Sequence, residues 1–293
     1  HKAVNDGSKC DDGVSCTTDD KCAKGSCTGR PTLFSKANIT VATLSGVTAL
    51  DGDTFAVVGA SLTKPGSAYW AIHDGPEPTK SGTHGVNQTV FNDIARISGK
   101  KVGIGGRRRV NATGKWMQLV VLADLEQSDF QELVFAPAGG WSDTYGMGVD
   151  SSRIVVVGAQ QKVGTNNQAT VISVPVAGFS QQSASVWKLG GTGANQFGDA
   201  HLIGTDTLLA GGYHDKGKVV QPWIALLDAK GKIQWERKHP KKGYAFGLAV
   251  NGNKIAVTGH FNIDPNKQLH MLLLANVKGG LLDEAGISFQ TLK

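Results

Sequence analysis

Cysteine and long apolar runs are both scarce in this sequence. No cysteine occurs after residue 27, and no apolar run approaches the roughly 20 residues that a membrane-spanning helix needs. Any disulfide must therefore lie near the amino terminus, and a helical membrane span is not expected. No stretch has the apolar spacing of an amphipathic helix, which argues against helical bundles and against alternating strands and helices.

The remaining composition is that of a globular chain. Hydrophobic residues make up 40% and charged residues 18% of the 293 positions, which is enough apolar content for one large core or two modest ones. The chain begins at His1 without an initiator methionine or an apolar leader, so we expect a processed form or a fragment of a longer precursor.

The four cysteines are confined to residues 1–30, which we interpret as a separate small module. They are Cys10, Cys16, Cys22 and Cys27. This segment is too short and polar to form an apolar core, so the pattern predicts two disulfides and an oxidising compartment. The spacing lacks the paired CxxC motifs of a structural zinc site. Three disulfide pairings remain open.

Carboxylates in the same segment suggest a calcium site, because Ca²⁺ prefers several oxygen ligands in a flexible loop. The candidate ligands are Asp11, Asp12, Asp19 and Asp20. The alternative is that these residues only form turns. The run CDDGVSCTTDDKCAKGSC resembles a small cysteine-rich, disintegrin-like module of secreted and cell-surface proteins, notably those of myxobacteria. The resemblance implies a secreted or cell-surface location.

Beyond Pro31 the sequence contains five copies of one block. Each copy has an apolar residue, a turn, a stretch of alternating apolar and small residues, and a final glycine. These glycines are Gly59, Gly106, Gly158, Gly212 and Gly259. They recur about every 50 residues, a period typical of radial or linear repeat folds. The Asp-Gly, Ser-Gly and Asn-Gly pairs within the blocks predict tight β-hairpin turns.

Two further runs follow each block, so every repeat is predicted to contain four strands. The third run is almost wholly apolar, and the fourth is QTVF, ELVF, ASVW, KIQW or ISFQ. Four antiparallel strands repeated without helices predict an all-β fold, a β-propeller of five blades. We place the propeller at 31–293 and its blades at about 34–91, 92–136, 137–188, 189–238 and 239–293.

The repeats resemble secreted bacterial propellers of the quinoprotein-like and related kinds. They lack the tryptophan-docking consensus of quinone-dependent enzymes, the GH and WD pairs of WD40 blades, and the Asp-box of sialidases. No single activity is therefore implied. The short run PTLF near residue 34 has three readings: it caps an edge, completes the last blade, or is a remnant of a sixth blade.

In a propeller the loops between second and third strands, and those between blades, meet on one face around the axis. Charged and aromatic residues predicted there form the candidate ligand site: Arg107, Arg109, Trp141, Asp143, Tyr145, Asp199, His214, Asp215, Tyr244 and His260. Such a mixture suits a sugar or a peptide. A metal at His214 and His260, with Asp215 or Asp264, is a further reading.

We therefore expect an extracellular binding or surface-assembly protein, with a glycan or a protein as ligand and with self-assembly possible. One alternative is a polysaccharide hydrolase or lyase that uses Asp93, Asp143 and Asp199. The other is a structural subunit of a surface layer or filament. The sequence contains neither the G-x-S-x-G motif of a serine nucleophile nor a cofactor-binding signature.

The run KKVGIGGRRRV invites a phosphate-binding or nucleic-acid reading. A dinucleotide loop requires a third glycine where Arg108 stands, so that reading fails. The net charge of +6 is compatible with anionic partners. A nucleic-acid partner is disfavoured because aromatic residues do not alternate with basic residues around the arginines.

Overall fold

The computed structural model describes residues 17–23, 26–31, 42–75, 77–85, 88–109, 114–136, 140–161, 166–190, 195–213, 220–264 and 267–276, with the backbone alone for 17–31 and for most of 262–276. All 21 elements within these ranges are β-strands, so the prediction of an all-β fold is confirmed. None of the described residues forms a helix long and apolar enough to cross a membrane.

The strands form one hairpin and five antiparallel sheets, which we call blades one to five. The hairpin consists of β1 (Thr17–Ala23) and β2 (Ser26–Pro31). Blade one contains β3 (Ala42–Ala49), β4 (Phe55–Ser61), β5 (Ala68–His73) and β6 (Pro78–His84). Blade two contains β7 (Thr89–Ser98), β8 (Lys101–Arg108), β9 (Met117–Asp124) and β10 (Asp129–Phe135).

The later blades repeat this order. Blade three contains β11 (Trp141–Val149), β12 (Arg153–Gln161), β13 (Gln168–Pro175) and β14 (Ser185–Leu189). Blade four contains β15 (Gln196–Ile203), β16 (Asp206–Tyr213), β17 (Gln221–Leu227) and β18 (Ile233–Lys238). Blade five contains β19 (Gly243–Asn251), β20 (Lys254–Asp264) and β21 (Lys267–Asn276).

Consecutive blades pack face to face, with their first strands side by side. β3 contacts β7, β7 contacts β11, β11 contacts β15, and β15 contacts β19. The first strands thus line the inside of the array, and the later strands lie progressively outward. This is the blade arrangement of a β-propeller.

Turn chemistry explains the hairpin between the first two strands of each blade. Gly52, Gly99, Gly204 and Gly252 have positive φ values of 65°, 52°, 57° and 58°, a conformation that glycine adopts without steric cost. Blade three has no glycine here. Instead the Asp150 carboxylate accepts hydrogen bonds from the backbone amides of Ser152 and Arg153, so a side chain stabilises the turn.

A separate apolar cluster fills each junction between neighbouring blades. Trp70 of blade one packs with Phe91 of blade two in the first junction, and Met147 lies in the second. In the third junction Phe197 and Trp223 are fully buried, with ring centroids 4.5 Å apart. The core is therefore a series of layers between sheets.

The extent of burial differs from strand to strand. β12 and β16 are buried along almost their whole length, because a blade covers each side of them. In β4 buried and half-buried residues alternate, whereas all six residues of β5 in the same blade are buried. No packing comparable to the other junctions joins β19 to β3 among the described strands.

The structure corrects two assignments and leaves others untested. QTVF does not end blade one: its residues begin β7, the first strand of blade two, and Pro78–His84 is the fourth strand of blade one. PTLF, apart from Pro31, and ISFQ lie outside the described residues, as do Cys10, Cys16, Asp11 and Asp12. The side chains of Cys22, Cys27, Asp19 and Asp20 are likewise not described, so disulfides and calcium stay predictions.

Truncation of a junction side chain tests the layered core. We expect Phe197→Ala to lower the free energy of unfolding by about 3–5 kcal/mol, because it leaves a cavity against Trp223. Val186→Ala is a suitable control because that side chain is 45% exposed, and its effect should stay below about 0.5 kcal/mol. Urea unfolding followed by tryptophan fluorescence measures both. Equal effects of the two substitutions would contradict the assignment of the core.

Candidate functional site

A bulge occurs at the same position in the first strand of every blade. The register of each strand slips by one residue, at Leu44/Gly46, Phe91/Asp93, Thr144/Gly146, Phe197/Asp199 and Ala245/Gly247. The extra residues are Ser45, Asn92, Tyr145, Gly198 and Phe246. A bulge re-aims the side chain that it carries. Tyr145 and Phe246 are accordingly 39% and 49% exposed, although each belongs to an inner strand.

The residue after the bulge alternates between glycine and aspartate. It is Gly46, Asp93, Gly146, Asp199 and Gly247 in blades one to five. Each aspartate accepts a hydrogen bond from the next amide of its own strand and another from the following blade. Asp93 accepts from Met147 N at 3.0 Å, and Asp199 accepts from Leu248 N at 2.8 Å. These carboxylates join blade two to three and blade four to five.

Burial of the two junction carboxylates changes their proton affinity. It raises the pKa of Asp93 to about 6 and that of Asp199 to about 7, although backbone hydrogen bonds act in the opposite direction. The charge of Asp93 also raises the pKa of Asp199.

Arginine, tryptophan and aspartate form a compact cluster at the end of β8. The guanidinium carbons of Arg107 and Arg109 lie 4.5 Å and 4.4 Å from the ring centroid of Trp116. Arg107 Nη1 also donates to Asp143 Oδ2 at 2.7 Å. Such an arrangement holds two planar cations at one aromatic side chain. We call these four residues the arginine cluster.

Asp143 is the buried member of the arginine cluster. It is 8% exposed, and burial raises its pKa while the charge and hydrogen bond of Arg107 lower it. Its Oδ1 and the Nε of Arg107 are both buried without a hydrogen-bond partner among the described residues. Buried polar atoms usually have partners. Both atoms are enclosed by the surrounding protein, so they belong to the packed base of the cluster.

Aromatic side chains continue the same inner surface toward blade five. The Tyr244 and Phe246 rings are nearly parallel, with centroids 5.9 Å apart, and His260 lies 5.1 Å from Phe246. Burial, together with the charges of Asp143 and Tyr244, raises the pKa of Tyr145 to about 12 against the lowering effect of Arg107. Tyr145 thus lies between the arginine cluster and the aromatic group of blade five.

The predicted site residues have three different outcomes. Arg107, Arg109, Asp143 and Tyr145 come together, and Tyr244 pairs with His260 nearby. Trp141 instead donates its indole N–H to Gln161, and Asp199 accepts the backbone amide of Leu248 in the next blade. His214 and Asp215 lie outside the described residues. Within the described part of the chain, no group of three or more His, Cys, Asp or Glu side chains is arranged to hold a metal ion.

Arg108, the middle residue of the arginine triplet, has a different role. Successive side chains of β8 point to opposite faces of the sheet, so the Arg108 side chain points away from those of Arg107 and Arg109. It forms a bidentate ion pair with Glu132. His84 of blade one bonds the same carboxylate at 2.7 Å and stacks on Phe130 at 4.3 Å. The basic partners lower the pKa of Glu132 against the opposing effect of burial. Arg108 therefore joins β8 to β10 within blade two, and His84 connects the shared carboxylate to blade one.

Two residues of this surface were missed by the sequence interpretation. Trp116 belongs to the same connection between β8 and β9 as Arg109, so an aromatic residue in that connection was an available signal. Asn92 is a bulge residue of blade two, and its side-chain amide donates to the Thr144 carbonyl. No sequence pattern marks the bulges, because they depend on register between strands.

A cleft between blades lies away from the arginine cluster. A space of about 680 Å³ between blades two and three is lined by residues such as Lys101, Asp129 and Phe179, at the opposite end of the strands from the arginine cluster. It contains no concentration of charge comparable to that cluster.

Comparison with known proteins supports the fold only. No protein-family model matches the chain, and no curated protein matches its sequence. The β-propeller domain of the Trilobed protease from Pyrococcus furiosus shares 9% identity over 64% of this chain and 54% of that one, with a TM-score of 0.43. A subtype N10 neuraminidase-like protein of A/little yellow-shouldered bat shares 9% identity over 82% and 58%, with a TM-score of 0.40.

A higher score is found for the cobalt-substituted apocarotenoid oxygenase of Synechocystis. It shares 10% identity over 91% of this chain and 69% of that one, with a TM-score of 0.50. At this identity the likeness is one of fold alone. This chain spans only about half of the protease domain.

The junction carboxylates predict an unusual dependence of stability on pH. Since the pKa values of Asp93 and Asp199 rise from 3.8 to about 6 and about 7 on folding, the folded state binds protons that the unfolded state has lost. Their stabilising contribution is complete below pH 3.8 and is lost as the pH rises through 6 and 7. Burial lowers the pKa of His201, which opposes this trend. We expect Asp199→Asn to reduce the loss of unfolding free energy between pH 5 and pH 8.

Urea unfolding at both pH values measures this effect. The Asp93→Asn protein provides a matched comparison, with a smaller reduction confined to lower pH. An unchanged pH dependence in Asp199→Asn would contradict the assignment of the raised pKa.

Proposed function

We propose that this protein is an extracellular binding protein that holds an acidic glycan at the arginine cluster and the adjoining aromatic surface. The observation that carries the proposal is the convergence of Arg107, Arg109, Trp116 and Asp143 beside the exposed ring of Tyr145. The cysteine-rich amino-terminal segment supports an extracellular location, since disulfides persist in oxidising compartments.

Recognition of an acid follows from the guanidinium groups. A guanidinium presents several N–H donors in a plane that matches a carboxylate or a sulfate. One donor of Arg107 is used by Asp143, and about a third of the Arg107 side chain, 34%, remains exposed. Stacking on Trp116 holds the cations in place, so little side-chain freedom is lost on binding.

Recognition of a sugar ring follows from the aromatic groups. Tyr145 and Phe246 expose 39% and 49% of their surfaces on inner strands, where apolar rings can stack on the C–H face of a pyranose. The net charge of +6 draws polyanions toward the protein at low salt.

A hydrolase or lyase activity receives less support. Both oxygens of Asp93 and both oxygens of Asp199 accept backbone amides, so these carboxylates already have structural roles. Asp143 is held by Arg107.

Binding to defined glycans tests the proposal. On an array of neutral and acidic glycans, the full chain should bind uronic-acid or sulfated glycans. Arg107→Ala and Trp116→Ala should each weaken the binding by about tenfold or more, because a hot-spot contact contributes at least 1–2 kcal/mol. Arg237→Ala is the matched control, since Arg237 is an exposed arginine on an outer strand of blade four.

The outcomes separate the possible functions. Binding that Arg237→Ala weakens as much as Arg107→Ala would indicate a general charge effect and overturn the site. Absence of binding to every acidic glycan would overturn the glycan proposal. Release of shorter oligosaccharides on long incubation would favour the hydrolase or lyase instead.

A further inference from the structure

The junction between blades two and three departs from the repeat at the end of the strands where the arginine cluster lies. Gln118 of β9 pairs with the residue that follows the final glycine of its block, and in blades one and three this position is Ala68 and Ala169. Both alanines are fully buried within apolar clusters between blades. Gln118 is only 2% exposed. A buried amide in place of a methyl group is costly unless it is hydrogen-bonded, and such departures from a local rule concentrate at functional positions.

Three hydrogen bonds cross this junction in a row that runs outward from the inner strands. They are Arg107 Nη1 to Asp143 Oδ2 at 2.7 Å, Thr170 Oγ1 to Gln118 Oε1 at 3.1 Å, and Gln181 Nε2 to the Val134 carbonyl at 3.1 Å. Arg107 and Gln118 are opposite each other in the register of β8 and β9, so their side chains lie side by side on one face of the sheet. The arginine cluster is therefore the inner end of a polar row that reaches the outermost strand of blade two.

A groove of about 390 Å³ follows the outer part of this row. Gln118 lies at its base, where the hydrogen bond from Thr170 joins the two blades. The lining combines three amides and one ammonium group with apolar side chains, and it includes Gln118, Gln160, Gln181, Lys188, Phe135 and Val186. Val186 is 45% exposed, so the groove opens to solvent.

This lining suits a hydroxylated ligand that carries an anionic group. Amides both donate to and accept from sugar hydroxyls, and an apolar wall accepts the C–H face of a sugar ring. Lys188 is exposed on β14 and forms no ion pair with any residue in the described part of the chain, so its ammonium group is available to a carboxylate or a sulfate. Phe135 lies two strands outward from Arg107, about 10 Å at the usual strand spacing. A single sugar is too short to reach both.

We propose that this groove is a second subsite for the acidic glycan, and that the ligand is a chain with acidic groups on at least two sugars. One acidic group binds at the arginine cluster, and a later one binds at Lys188. Because the first subsite is the arginine cluster, this assignment rests on the proposed function. The ligand class is then an extended acidic polysaccharide rather than a glycan with one terminal acidic sugar.

Dependence of affinity on chain length gives the first test. The probes are fragments of two and six sugars, prepared from polygalacturonate and from heparin, and titration calorimetry at low salt measures their binding to the full chain. In the series that binds, we expect the hexasaccharide to bind about tenfold or more tightly than the disaccharide, because a second contact on the same chain acts at a high effective concentration.

The outcomes distinguish the groove from the arginine cluster. Equal affinity for the two lengths, with both weakened by Arg107→Ala, would overturn the groove and leave the arginine cluster as the glycan site. Absence of binding in both series, at both lengths, would overturn the proposed function and the groove together.

Substitutions in the groove give the second test. Lys188→Ala should lower the affinity for the hexasaccharide by about threefold or more at low salt, and the double variant Gln160→Ala/Lys188→Ala by about tenfold. The loss should be larger for the hexasaccharide than for the disaccharide, which is too short to occupy both subsites. Lys230→Ala is the matched control, since Lys230 is an exposed lysine of blade four at the opposite end of the strands. Equal losses in Lys188→Ala and Lys230→Ala would overturn the groove.

A conservative substitution tests the role of the charge. Lys188→Arg keeps the cation, so it should retain most of the affinity for the hexasaccharide that Lys188→Ala loses. A loss in Lys188→Arg as large as that in Lys188→Ala would overturn the pairing of Lys188 with an acidic group of the glycan.

Discussion

The structure depends on the way in which neighbouring blades meet at their first strands. Here two sheets pack face to face, and a buried carboxylate or a glycine decides how closely the backbones approach. Asp93 and Asp199 satisfy amides of two blades at once, so each replaces hydrogen bonds that water would otherwise provide. The small residues Gly46 and Gly146 permit the close contact at the alternate junctions. Burial of these carboxylates raises their pKa values, and the pH dependence of stability follows from it.

The candidate site is a consequence of the same inner strands. The bulge that precedes each glycine or aspartate directs its extra side chain away from the packed face, and in blades three and five that side chain is aromatic. The end of β8 brings Arg107 and Arg109 to Trp116 beside this surface. The repeated backbone therefore positions a non-repeated set of side chains, which is how one architecture supports a specific site.

Much of the fold could be predicted from the sequence because short-range residue patterns mark each repeat. The turn pairs and the apolar alternation are short-range signals, and they located the hairpins of blades one, two, four and five. The error at QTVF arose because an apolar run preceded by a turn reads equally well as the end of one blade or the start of the next. Among the site residues, Arg107, Arg109, Asp143 and Tyr145 were found because polar loops of equivalent position converge. The role of Trp116 and the positions of the bulges were not predicted, because they depend on loop conformation and on the register between strands.

The sequence by itself determined an all-β chain, the number of repeats and the ends of the strands from which a site could be built. These properties follow from residue periodicity and from the backbone preferences of glycine and asparagine. Only the tertiary structure separated Arg108, bound to Glu132 within blade two, from Arg107 and Arg109 at Trp116. It alone showed that the aspartates after the bulge connect neighbouring blades and that both end blades carry glycine there. The physical reason is that the aspartate contacts join residues about 50 positions apart. There, and at the arginines, side-chain direction and sheet register rather than local preference determine which residues meet.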